Sequence, residues 1–112
     1  MKIFRNNPKE FQQLENIPDG IVACLINDPD EKLPLASIYA KMEKGTVISS
    51  PLASSFEIII VKTGQLEVTS SEGVKILEAG SIAYFPSTGK KDDKVTYKAL
   101  KDSETISFEA EI

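Results

Sequence analysis

The chain contains no histidine and a single cysteine, Cys24. Without an imidazole, acid–base and triad mechanisms that depend on histidine are closed to it. One thiol cannot form an internal disulfide, which suits a reducing compartment, and the cytoplasm is the expected location. Cys24 lies inside the apolar run Ile21 to Ile26 and reads as a buried, inert thiol with no base to activate it. That run of six residues is the longest apolar stretch. A helix needs about 20 apolar residues to cross a bilayer, so no membrane span is expected. The chain turns polar after Met1-Lys2-Ile3-Phe4-Arg5, and no export signal is expected either. A Gly-rich phosphate loop, a zinc-ligand spacing and a dinucleotide fingerprint are all lacking. So is an excess of basic residues: 13 Lys and Arg stand against 17 Asp and Glu, a net charge of -4. Nucleic-acid binding needs a basic stripe to neutralise phosphates, so no nucleic-acid partner is expected. Lys90, Lys91 and Lys94 do cluster, but Asp92 and Asp93 lie between them, and the stretch reads as a solvated loop.

What is present is ordinary for a globular protein. Apolar residues make up 41% of the 112 residues and charged residues 27%, which fits one domain spanning residues 1–112. A domain this small buries a modest fraction of its surface and gains from a second subunit. Near the start, Asn7, Pro8 and Glu10 form a helix-start signature, and Phe11 and Leu14 would share a face. One short helix is expected over residues 8 to 15, ended by the Pro18-Asp19-Gly20 turn.

Beyond that turn the pattern is strands. Ile21 to Asn27 reads as a buried strand, followed by a loop from Asp28 to Lys32. Residues 36 to 43 alternate, with Ile38, Ala40 and Met42 opposed to Tyr39, Lys41 and Glu43. Thr46 to Ile48, Phe56 to Lys62, Leu66 to Thr69, Val74 to Leu77 and Ser81 to Phe85 follow, separated by glycine turns. Val95, Tyr97 and Ala99 share a face, and a last strand sets Ile106, Phe108, Ala110 and Ile112 against Thr105, Ser107, Glu109 and Glu111. Many short strands with no helical crossovers imply an all-β sandwich or barrel.

Two of these glycine-bounded segments resemble the two motifs of the cupin family. The first motif is Gly, five residues, His, one residue, His, three or four residues, Glu, six residues, Gly. Gly45, Glu57 and Gly64 match it, with Pro51 and Ala53 at the histidine positions. In the second, Gly80 and Pro86 match. Gly89 comes one residue late, which puts Asp92 at the histidine position and Thr96 at the asparagine position. The 15 residues between Gly64 and Gly80 suit the short hairpin of small bacterial cupins. The resemblance covers about residues 36 to 108 and implies a double-stranded β-helix, a jelly-roll barrel with its pocket inside. Family members commonly hold a transition metal through three histidines and the glutamate. Only Glu57, with Asp92 as a second carboxylate, remains at those positions. Two carboxylates hold such a metal poorly, so neither metal nor other cofactor is expected.

The side chains left to act in a pocket are Glu57, Asp92, Tyr39, Tyr84, Tyr97 and Lys41. A carboxylate with a raised pKa beside a tyrosine could move protons. The plainer reading is tyrosines packed in the core and charged residues on the solvent face of alternating strands. Three functions stay open. One is a non-enzymatic, metal-free protein that binds a small polar ligand or serves as a dimeric accessory or sensor. Another is a metal-independent isomerase or lyase. The third is a partner-binding scaffold with a collapsed pocket. If Glu57 points into the barrel, Ile59 and Val61 follow it, and Phe56, Ile58 and Ile60 point outward. Such a patch marks an interface, so a homodimer burying these three residues is expected, with cover by the N-terminal helix as the rival explanation.

Overall fold

A computed structural model describes residues 1–10, 12–28 and 31–111, with the backbone alone at Glu10. Among the described residues the elements run from a 3-10 turn, Pro8–Glu10, through nine strands. These are β1 (Ile21–Leu25), β2 (Ala36–Met42), β3 (Val47–Pro51), β4 (Ser55–Thr63), β5 (Gln65–Ser70), β6 (Gly73–Glu78), β7 (Ile82–Phe85), β8 (Lys94–Ala99) and β9 (Ser103–Glu111). Five of them form one sheet in the order β1-β2-β9-β4-β7, and four form a second in the order β3-β8-β5-β6. Every pairing is antiparallel, and the two sheets face each other as a jelly roll. Among the described residues no helix is long and apolar enough to cross a membrane.

The β4–β5 connection shows why a glycine stands there. Gly64 has φ +88°, and a Cβ on it would lie 2.5 Å from the Asp102 carbonyl oxygen and closer still to Ser103 Oγ. Gly64 therefore lets β4 turn tightly against the chain entering β9.

The expected N-terminal helix does not form. After the single 3-10 turn the chain runs extended beside β1: Leu14 N donates to the Ala23 carbonyl at 2.9 Å, and Leu25 N donates to the Gln12 carbonyl at 3.2 Å. Asn7 does act as a cap, its Oδ1 accepting from Lys9 N at 3.1 Å. An isolated helix of eight residues is marginal, whereas edge pairing satisfies the same backbone groups and covers β1. Phe11 and Ile112, on which part of the sequence reading rested, lie outside the described residues, as does the Glu10 side chain.

Strand alternation sorts each sheet into two faces. In the four-stranded sheet, Val95, Tyr97 and Ala99 of β8 and Leu66 and Val68 of β5 are buried between the sheets. Lys94, Lys98 and Thr69 look outward and are exposed. From the five-stranded sheet, β4 sends Ile59 and Val61 inward to join Met42, Ile21 and Leu52 in the same core. β9 differs: Ser103, Thr105 and Ser107 point inward, and Ile106, Phe108 and Ala110 outward. The expected inward direction of Glu57, Ile59 and Val61 is the one found.

Candidate functional site

A cavity of about 80 Å³ lies between the sheets. Its apolar wall comes from β1 and β2, including Ala23, Ile38 and Ala40. Its polar wall comes from β4, β8 and β9: Glu57, Tyr97, Thr105, Ser107 and Glu109, with Ser50 of β3 beside them. Glu57 is only 3% exposed and Tyr97 2%. Tyr97 donates its hydroxyl hydrogen to Glu57 Oε1 at 2.7 Å. Burial, followed by the charge and hydrogen bond of Glu57, pushes the Tyr97 hydroxyl above the usual tyrosine range, so it stays a donor.

Glu109 stands directly across from Glu57 on the neighbouring strand, with both side chains on the inner face. Burial raises the Glu109 pKa, and the charge and hydrogen bond of Glu57 raise it further. The shift favours the neutral form of the Glu109 carboxyl beside Glu57. Glu109 also lines a cleft of about 730 Å³ at the end of the barrel, whose walls include Leu33, Pro34, Leu35 and Pro51. It thus stands where the inner cavity meets the mouth.

Of the six residues expected in the pocket, the fold brings together two, Glu57 and Tyr97. Asp92 is exposed on a turn at φ 67° and does not line the cavity. Tyr84 is 60% exposed on the outer face. Tyr39 is buried on the outer face too, donating to Glu104 Oε2 at 2.7 Å under the edge of Phe4. Burial and that carboxylate raise the Tyr39 pKa above the ordinary tyrosine range. Lys41 is half-buried in a separate cleft with Glu43, Asp102 and Glu104.

Pro51 and Ala53, at the motif's histidine positions, do not line the inner cavity. Pro51 pairs with Lys94 on the outer face and is exposed, while Ser50 faces the cavity and Leu52 is in the core. Ala53 is half-buried at the loop, its carbonyl accepting from Ser87 Oγ at 3.0 Å. With either gap the motif allows before the glutamate, the strand face decides, and it favours Ser50 and Leu52. Glu109, Thr105 and Ser107 were not expected in the pocket. Only the direct pairing of Glu57 with Glu109 across β4 and β9 reveals them.

The donor set does not fit a transition metal. Ser50 and Leu52 offer no imidazole, and Glu57 already bonds Tyr97 and Glu109. Among the described residues no three His, Cys, Asp or Glu side chains come together as ligands.

The fold is that of a small cupin. KdgF from a Halomonas species superposes with a TM-score of 0.73 at 20% identity, over 99% of this chain and 95% of that one. The cupin domain of an XRE family transcriptional regulator from Enterobacter cloacae gives 0.68 at 18% identity, over 83% and 98% of the two chains. A cupin-superfamily sugar phosphate isomerase from Silicibacter pomeroyi gives 0.66 at 18% identity, over 84% of this chain and 61% of that one. No family model matches the sequence, and no curated protein matches it.

Proposed function

We propose that this protein is a metal-independent, non-enzymatic binding domain that takes a small polar molecule into the barrel and acts as a sensor or accessory subunit. The observation that carries this reading is the hydrogen-bonded set of Glu57, Tyr97 and Glu109 at the junction of an inner cavity and an open cleft. A collapsed scaffold would have no reason to keep two carboxyls inside, since burying them unpaired is costly. The likeness to the cupin domain of a transcriptional regulator is in keeping with a sensing role. The test is a thermal-shift screen of small amines, polyols and carboxylic acids, with and without added divalent metals. A stabilising ligand that needs no metal supports the reading. Stabilisation only when metal is present, or by no compound at all, overturns it.

A second reading has its own observation. A carboxyl with a raised pKa beside another carboxylate can move a proton, so Glu109 and Glu57 could serve as acid and base in a metal-independent isomerase or lyase. Exchange of a substrate C–H for deuterium that Glu109→Gln abolishes would establish it.

The same proposal includes a two-fold homodimer through the outer face of the five-stranded sheet. Phe56, Ile58 and Ile60 are half-buried there, beside Tyr84 at 60% exposure and Ile82 at 69%. The N-terminal segment covers a different part of this face, around Tyr39, Lys62 and Ile106. Light scattering at tens of micromolar should give twice the chain mass for the wild type and the single mass for Ile58→Glu. A monomeric wild type overturns the dimer. Cytoplasmic location belongs to the same proposal, in keeping with the reduced, buried Cys24.

A further inference from the structure

The charge and wall chemistry of this same pocket point to the class of molecule it holds. The inner cavity is lined by two carboxyls and no basic side chain. The cleft above it is lined by Glu31, Glu109 and Glu111, again with no Lys or Arg among the described residues. From mouth to base the path is acidic throughout. At the base, Glu57 and Glu109 stand together with no Lys or Arg beside them among the described residues, so a negative charge there is buried without a positive partner. Such a charge is costly unless a cation neutralises it. Among the described residues, elements other than β4, β8 and β9 present no ionisable group to the cavity, so none of them supplies a compensating charge.

A second, independent feature points to a ligand. Thr105 is 3% exposed and Ser107 9%, and both hydroxyls line the cavity without a hydrogen-bond partner among the described residues. Buried hydroxyls are normally satisfied, so these are groups awaiting one. They stand on the same strand face as Glu109; Ser107 is two residues away and next to it on that face, whereas Thr105 is four residues away, about 13 Å along the strand, and lies deeper in the cavity. A group with several N–H donors would satisfy Glu57 and Ser107 together, as a primary ammonium can.

The walls then set the rest of the molecule. The inner cavity, at about 80 Å³, admits a small head only, far below the size of a drug-like pocket. The cleft is wider and offers Leu33 and Leu35, which are 50% and 38% exposed, with Pro34 and Pro51. We infer that the site takes a primary amine as its ammonium ion, head down against Glu57 and Glu109, with a short apolar tail against Leu33 and Leu35. This rests on the ligand-binding reading above and narrows it to one ligand class.

The probes are n-alkylammonium ions from methyl to hexyl, with n-butanol and butyrate as neutral and anionic controls, measured by isothermal titration calorimetry at neutral pH. Saturable binding of one butylammonium per chain is expected, with butyrate excluded. Affinity should rise about threefold to fourfold per added methylene as the tail fills the cleft. Glu57→Gln combined with Glu109→Gln removes the buried charge while keeping shape, and should weaken butylammonium by about tenfold or more. Its melting temperature shows whether the fold is kept. Leu33→Ser combined with Leu35→Ser alters exposed positions only, and should flatten the dependence on tail length. Equal or tighter binding of butanol or butyrate overturns the ammonium assignment while leaving a ligand site in place. Unchanged binding by the Gln/Gln variant overturns it by moving the amine elsewhere. No saturable binding of any alkylammonium also overturns it, and the wider binding reading then stands or falls on its own screen.

Discussion

The two sheets differ most in their inner faces. In the four-stranded sheet, Leu66, Val68, Val95 and Ala99 pack inward and Lys94 and Lys98 meet solvent. The division into an apolar inner face and a wet outer one is partial, since Val47, Val74 and Ile76 also lie outside at 45%, 58% and 48% exposure. In the five-stranded sheet, β9 reverses it. Ser103, Thr105 and Ser107 are enclosed, with Glu109 beside them, while Ile106, Phe108 and Ala110 lie on the outside. Both sheets supply the core, the four-stranded one through Leu66, Val68, Val95, Tyr97 and Ala99 and the five-stranded one through Ile21, Met42, Ile59 and Val61. The five-stranded sheet also spends part of its inner face on polar groups and part of its outer face on apolar ones. Neither placement helps a lone domain fold, and the two together are what the proposed ligand and the proposed partner rest on.

Substitutions can break or sharpen this contrast. The largest effect should come from the apolar inner face of the four-stranded sheet. Leu66 is fully buried, and Leu66→Ala should lower unfolding free energy by about 2–5 kcal/mol in a urea titration. A loss below about 1 kcal/mol would mean that this face is not a stabilising part of the core. Tyr97→Phe crosses between the two regimes, since its ring packs in the core and its hydroxyl bonds Glu57. It should cost about 1–3 kcal/mol, because it leaves a buried carboxylate oxygen short of a donor. A neutral result would show that water replaces the hydroxyl.

The reversed face should respond to pH instead. The native state holds the Glu109 carboxyl above its ordinary pKa, through burial first and Glu57 second. Its contribution to stability is therefore full below the ordinary carboxylate value and is lost as pH rises through the raised value. Glu109→Gln, which cannot ionise, should gain on the wild type as pH goes from about 4 to about 7, read as the difference in urea midpoints. A difference that stays flat or runs the other way would remove the strain assigned to this pair. The smallest effect belongs to Ser107→Ala. Its hydroxyl has no partner among the described residues, so stability should change by no more than about 0.5 kcal/mol, although the site is 9% exposed. A loss comparable to Leu66→Ala would make the inner faces of the two sheets energetically alike.

Much of the fold could be read from alternation and turns. The strand through Phe56 to Val61 was legible because Glu57 marks one face of an otherwise apolar run, and strand geometry does the rest. The glycine spacing carried the jelly roll. What alternation cannot say is which face is inside. The polar side of β9 reads as solvent-facing by the ordinary rule, and so Glu109, Thr105 and Ser107 went unassigned. Asp92 and the pair Pro51 and Ala53 were placed by counting along motifs whose gaps vary. A shift of one residue in a strand exchanges the two faces, and a one-residue slip in a loop moves a side chain out of the pocket. At the N-terminus, capping signals describe a local preference, but pairing with β1 is a long-range one, and it prevails over a helix of two turns.

The position of β9 has a kinetic consequence. It is the ninth strand along the chain and the third across its sheet, between β2 and β4. Until it inserts, that sheet exists only as two separate ribbons, β1–β2 and β4–β7, and a two-stranded ribbon is marginal in water. Both pairings that join them span long loops, as Ala36 with Glu109 and Ser55 with Glu111. Loop closure must precede the reward, so folding belongs in the millisecond-to-second range typical of all-β domains. The strand that carries the cavity's second carboxyl is also the clasp of the sheet, so the inner cavity and the five-stranded sheet come into being in the same event.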